Sequence, residues 1–199
     1  MTHIDWQRKV AHVEMSDAPG RSRWKGAGQG LSFRLCQAIK RVLATDGSRP
    51  CWSQRARTQI ETIRVEFPWL TVDASAVVTG PDDGTKWWTF AGQKANAALA
   101  PALANMTQIP TTSDSLSIDF DRPLPEAVQQ AIDELRSREP RTLLPEVTPE
   151  ALEGLKFSEC LPPAIALHSL ATRRRDQAGL AQLLEMTIRF VSVRGADPG

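Results

Sequence analysis

The chain has 199 residues, 41% hydrophobic and 24% charged, with 24 Lys/Arg against 23 Asp/Glu and a formal net charge of +1. These proportions exclude a globally disordered chain and suit one domain of ordinary size or two small lobes sharing an interface, because enough Leu, Ile, Val and Phe are present to offset chain entropy. The near-neutral balance also excludes a protein that binds nucleic acid through overall basicity, so any such role must rest on a local patch.

Residues 8–16 alternate loosely and predict a weak strand. Residues 17–30 hold Gly20, Gly26, Gly28 and Gly30 with Arg21, Arg23, Trp24 and Lys25 among them, which makes a glycine-rich loop. A helix is predicted over 31–44, where Leu31, Leu35, Ile39 and Val42 form one stripe and Arg34 and Arg41, seven apart, share another face. Residues 46–50 are turn-forming by composition. Ser53 is placed to cap a second helix with the stripe Ala56, Ile60, Ile63 and Phe67. Trp52 can staple onto its first turn, Arg57 and Arg64 line a solvent-facing edge, and Pro68 ends it.

Residues 74–79 and 85–90 read as a hairpin around Gly80-Pro81-Asp82-Asp83-Gly84. An Ala/Leu-rich helix follows from about 93 to 105, and Pro101 within it predicts a kink or an early end. Residues 115–120 alternate as a half-buried strand. Pro125 then opens a helix whose stripe is Val128, Ala131, Ile132 and Leu135. The polar stretch 138–149, with Pro140, Pro145 and Pro149, reads as a linker. Beyond it are predicted a short helix near 149–155, a longer one over 158–174, another capped by Asp176 with Leu180, Leu183 and Leu184 inward, and a strand over 187–193. The expected fold class is α+β, several amphipathic helices on a small, mostly antiparallel sheet. Its expected division is a lobe over 1–137 carrying the tryptophan-rich hairpin, the linker 138–149, and a helical lobe over 150–199.

Several kinds of chemistry have no motif here. There is no Gly-x-x-x-x-Gly-Lys-Ser/Thr phosphate loop, no Gly-x-Ser-x-Gly elbow, no His-x-x-x-His and no Cys-x-x-Cys. His3, His12 and His168 are scattered, and His168, beside an apolar stripe, reads as a core or boundary residue. Cys36, Cys51 and Cys160 are an odd, widely spaced set, which reads as buried reduced thiols in a cytoplasmic protein. Asp119 and Asp121 lie near a strand end without the neighbours a nuclease metal site needs. The N-terminus has no apolar signal core, and no stretch has the ~20 apolar residues needed to span a bilayer.

Three stretches stand out together: Gly20-Arg-Ser-Arg-Trp24 leading to 31–39; Trp87-Trp-Thr-Phe-Ala-Gly92 followed by Lys94-Ala-Asn96; and Phe157-Ser-Glu-Cys-Leu-Pro-Pro163 leading to 188–191. Over most of its length the chain resembles the region downstream of the motor in bacterial Lhr-like (large helicase-related) DEAD/DEAH-box helicases. The resemblance implies an accessory part of an ATP-dependent helicase, in DNA repair or antiviral defence. ATP and Mg would belong to the missing motor, leaving no cofactor and no catalytic or metal residue to assign in this chain. The implied partners are the helicase motor and DNA, in single-stranded form.

From the residues themselves, Lys86-Trp87-Trp88 sets a cation beside two tryptophans on a strand, where alternation sends the rings to opposite faces. One is expected in the core. The other can stack on a base, an interaction worth ~1–3 kcal/mol, or can pack against a neighbouring domain. Lys94 and Asn96 sit at a helix start suited to a phosphate. Arg21, Arg23 and Trp24 form the densest basic-aromatic loop, readable either as phosphate and base contacts or as solvated charge. The expected nucleic-acid-binding set is therefore Arg21, Arg23, Trp24, Lys86, Trp88, Lys94 and Asn96. The rival reading is a protein-interaction subunit that docks on a motor or nuclease through Trp24, Trp69 and the helical stripes without touching nucleic acid.

Overall fold

The computed structural model describes residues 3–5, 8, 10–12, 30–47, 51–80, 84–153, 155–156 and 158–193. The loop bearing Arg21, Arg23, Trp24 and Lys25 lies outside the described residues, as do turn positions 81–83. Strands β1 (His3–Asp5) and β2 (Val10–His12) pair antiparallel. Helix α1 (Phe33–Ala44) is capped by Ser32, whose side chain accepts from the Leu35 N–H, and α2 (Gln54–Glu66) is capped by Ser53, which accepts from Ala56. The chain continues through β3 (Ala74–Thr79), β4 (Thr85–Trp88), α3 (Gln93–Thr107), β5 (Thr111–Ser113), β6 (Ser117–Phe120) and α4 (Pro125–Ser137). It ends with α5 (Pro163–Arg174), α6 (Gln177–Glu185) and β7 (Thr187–Ser192).

The fold is α+β, with six α-helices and a five-stranded mixed sheet in the order β5-β6-β4-β3-β7 among the described residues. Neighbours are antiparallel except β3 and β7, which run parallel. One face of the sheet carries Val77, Trp87, Ile118 and Phe120 into the main core, where α3, α4 and α6 cover them. Trp87 is fully buried, and its indole N–H donates to Ser75 Oγ at 3.1 Å, so the ring's one polar group stays satisfied in the interior. Every residue of the α4 stripe (Val128, Ala131, Ile132, Leu135) is buried, as the periodicity predicts.

Several expectations need correction. Helix α3 runs on through Pro101 to Thr107 instead of ending early. Its inward residues, among them Leu99 and Leu103, sit in the main core on both sides of the proline, so packing outweighs the lost backbone hydrogen bond. The stretch 138–149 is no free linker: Leu143 is buried in that same core and a 3-10 turn over Pro140–Thr142 packs against α6. Leu180, Leu183 and Leu184 share the core too, and β7 completes the sheet, so α6 and β7 belong with the first lobe. The Arg136 guanidinium donates from Nε to the Leu184 carbonyl at 3.0 Å and from Nη2 to the Met186 carbonyl, fastening the end of α6 to α4. His168, Cys51 and Cys160 are exposed; of the three thiols only Cys36 is buried.

Candidate nucleic-acid interface on the open sheet face

Strand register fixes which side chains share the second face of the sheet. Ala76 pairs with Trp88 on one side and Arg189 on the other, so these three form a row. One row along, Val78 pairs with Lys86 and Val191, Lys86 pairs with Asp119, and Asp119 pairs with Thr112. Side chains in register point to one face. This face therefore presents Trp88 and Arg189 in one row, and Asp119, Lys86 and Val191 in the next.

A second, smaller core closes one end of this face. Cys36 from α1, Leu70 and Phe90 are its buried members, and Phe67, Trp69 and Trp88 pack around them half-buried. The rings meet at preferred angles: Phe67 is edge-on to Trp88 at 5.0 Å and to Trp69 at 5.5 Å, and Trp88 lies over Phe90 at 6.0 Å. Pro68 ends α2 and sends the chain back across the sheet, where the Trp69 carbonyl accepts from Arg189 Nη1 at 3.1 Å. The result is an aromatic shelf, partly open to solvent, beside the guanidinium of Arg189 and the ammonium of Lys86. Lys86 Nζ lies 5.1 Å from the centre of the Trp88 ring and 2.7 Å from Asp119 Oδ1, with both charged side chains 39% exposed. The shelf can stack a planar ring and two cations can meet an anion, but Asp119 already neutralises one of them.

The structure separates the sequence-predicted residues. Lys86 and Trp88 share the shelf. Lys94 is exposed in the first turn of α3. Asn96 is corrected outright as a phosphate ligand, because it is fully buried. Its Oδ1 accepts from Thr89 Oγ1 at 2.8 Å and its Nδ2 donates to the Asp114 carbonyl at 2.8 Å, which pins the 114–117 turn to the start of α3. Asn96→Leu is expected to lower unfolding free energy by roughly 2 kcal/mol, since it removes two hydrogen bonds and takes the amide donor from the Asp114 carbonyl, while the Thr89 hydroxyl falls back on the Leu116 carbonyl and the Ala91 N–H. A urea melt checks this, and an unchanged midpoint would refute the role. Arg57 and Arg64 are also corrected: both are half-buried, and Arg64 Nη2 donates to the Val42 carbonyl at 2.8 Å, turning inward toward α1.

Sequence reasoning missed Arg189, because alternation over 187–192 gives its face relative to Val191 but not which strand β7 joins. It also missed a charge asymmetry hidden by the total. Residues 1–60 hold eleven Lys/Arg against four Asp/Glu, while the rest hold 13 against 19. Within this basic stretch α1 has no acid, and Arg34 and Arg41 do line one wall of an open groove of about 910 Å³, facing Asp176 and Glu185 of the α6 segment. Among the described residues no cluster of three His, Cys, Asp or Glu side chains could hold a metal ion, and Asp119 is engaged by Lys86. No helix among them is long and apolar enough to cross a membrane. No protein-family model matches the sequence, and no curated protein or solved structure matches it significantly.

Proposed function

We propose that this chain is an accessory single-stranded-DNA-binding and scaffolding part of an ATP-dependent helicase, working in the cytoplasm in DNA repair or defence against foreign DNA. The motor that hydrolyses ATP lies outside this chain. The helicase setting rests on the sequence resemblance to Lhr-like proteins. The binding role is supported by one observation, the aromatic shelf of Trp88 and Trp69 flanked by Arg189 and Lys86 on an open sheet face. An aromatic platform with neighbouring cations suits a strand whose bases are unstacked, because every base has a π-face and every phosphate a charge.

Anisotropy of a labelled single-stranded oligonucleotide, titrated across salt, tests the reading. Affinity should fall with salt. Trp88→Ala should weaken it by the ~1–3 kcal/mol of one stacked base. Arg189→Gln should flatten the salt slope by roughly one unit, with a urea melt to show that loss of its bond to the Trp69 carbonyl leaves the fold intact. No binding at low salt would overturn the nucleic-acid role.

The Lys86–Asp119 ion pair favours the second reading, a protein-docking part that never touches nucleic acid. Asp119→Asn separates the two. If phosphates approach Lys86, removing the competing carboxylate should tighten binding by about fivefold, the ~1 kcal/mol that a contact charge is worth at water-like screening. If this variant also fails to bind DNA, the docking reading stands.

A further inference from the structure

The two edges of the sheet are guarded differently. Strand β5, at one edge, has three residues. At the other edge β7 has six, Thr187-Ile-Arg-Phe-Val-Ser192, mostly β-branched or aromatic and with neither proline nor lysine. Short strands, prolines and lysines keep an edge from pairing, and β7 has none of these devices. Strand β3 covers one side of it only. The Val193 N–H reaches the Thr79 carbonyl, so the odd-numbered residues aim their amides at β3. The N–H and C=O groups of Ile188, Phe190 and Ser192 therefore point outward, and no strand meets them among the described residues. Phe190 is in register with the buried Val77, on the core-facing side, yet it is 40% exposed because nothing beyond β7 covers it.

We propose that this edge pairs with itself: β7 of one copy lies antiparallel to β7 of a second copy, about a two-fold axis perpendicular to the sheet. Side-chain faces and outward amides must both match across the axis, which restricts the register. Centring on Phe190 sets Phe190 against Phe190, Ile188 against Ser192, Arg189 against Val191 and Thr187 against Val193. All three outward residues then exchange bonds, about six across the axis, and the two exposed rings cover each other. Centring on Arg189 instead opposes two guanidiniums in a close pair, with about 4.5 Å between Cα atoms. Centring on Val191 leaves Ile188 opposite a position beyond the strand and forfeits about two of those bonds. The strand is thus complementary to its own copy in one register. Arg189 is held over the open face by the Trp69 carbonyl, which keeps it off the edge. Pairing joins the sheets with both open faces on one side and sets the two Trp88 shelves five strand spacings apart, about 24 Å. It does not depend on whether those shelves bind DNA.

Sedimentation velocity of the full chain from about 1 to 300 μM tests this, since so small an interface gives a micromolar equilibrium. The mass should climb from monomer to dimer and stop there. Ser192→Pro removes an outward donor near the end of the strand, and Phe190→Thr removes the paired ring while keeping a β-branched side chain. Each should weaken association by at least about tenfold. Val191→Glu and Val191→Lys read the register. Glu faces Arg189 twice across the axis and should tighten the dimer by about fivefold, whereas Lys should weaken it by a similar factor. The two differ in charge alone, so any cost to the fold, read by urea melts, falls on both. A chain that stays monomeric throughout overturns the proposal. So does association that survives both Ser192→Pro and Phe190→Thr, or an equal effect of Glu and Lys. Growth past the dimer, as head-to-tail pairing of β7 with β5 would give, overturns it too.

Discussion

Lys40→Met should raise the unfolding free energy by roughly 3 kcal/mol, a large fraction of the roughly 5–15 kcal/mol that holds a domain of this kind together. Lys40 is fully buried on the inner side of α1, and its amine has no hydrogen-bond partner among the described residues. Burial pushes its pKa down from 10.5 to about 8, against the partial restoring attraction of Asp73. The sign follows from proton counting. Between the folded and unfolded pKa values the unfolded chain holds a proton that the folded one has released, so stability rises with pH from about 8 toward 10.5 and is reduced by a constant amount below that window. Cys36 acts oppositely. Burial raises its thiol pKa above 9.0, so its contribution is lost as pH climbs past that value. The clean interval is therefore pH 8 to 9, where the Lys40 term amounts to about 1 kcal/mol. The chain has no tyrosine to titrate above it. Urea midpoints of the wild type should climb relative to those of Lys40→Met across this interval. Methionine keeps the length and flexibility of the stem without the charge. A variant no more stable than wild type, or one with the same pH slope, would show that the amine finds compensation in the folded protein.

Gly92→Ala should lower stability by roughly 4 kcal/mol. Gly92 caps α3 at φ 82° and ψ 160°, a region open essentially to glycine alone and worth about 1–3 kcal/mol of strain in any other residue. A Cβ there would stand 2.7 Å from the Leu31 carbonyl oxygen and 2.7 Å from the Phe33 nitrogen. Both obstacles are backbone, so relief means moving the start of α1 off the sheet, at a further cost of about 1–3 kcal/mol. The neighbouring bonds would move with it: Gly92 N–H to the Ser115 carbonyl and Gln93 N–H to the Leu31 carbonyl. Gly47→Ala is the matched control, because no atom of the described residues lies within 4 Å of its Cβ position. Paired urea melts should show a large drop for the first and a change within about 0.5 kcal/mol for the second. A small effect at Gly92 would mean that α1 is free to shift without loss.

Local signals in the sequence determined most element boundaries. Ser53 and Asp176 cap helices as composition predicts, accepting from Ala56 and Gly179; Pro125 opens α4, and Pro68 follows the end of α2. These signals work because a cap or a proline acts on backbone groups within one turn. The hairpin β3–β4 was legible for the same reason, and so was the rule that its two tryptophans face opposite ways. Of the candidate site, the sequence supplied Lys86 and Trp88 but neither their carboxylate nor their guanidinium neighbour, Asp119 and Arg189, which arrive from β6 and β7.

Tertiary structure decided what depends on partners far along the chain. It chose Trp87 for the core, through Ser75 and the helices above it, and left Trp88 on the shelf. It turned α1 so that Cys36 and Lys40 face inward while Leu35 of the expected stripe is 48% exposed. The Gln37 side-chain donation to the Phe90 carbonyl at 2.9 Å and the Cys36 Sγ contact to the Ser115 carbonyl at 3.2 Å hold that rotation. Periodicity reports an apolar stripe to within a residue or so of its true direction, and a single turn of 100° moves a lysine from solvent to core. It also set β7 parallel to β3 and brought Leu143 out of a proline-rich stretch into the interior, the latter because burying apolar area rewards any segment that can reach the core, whatever its local composition.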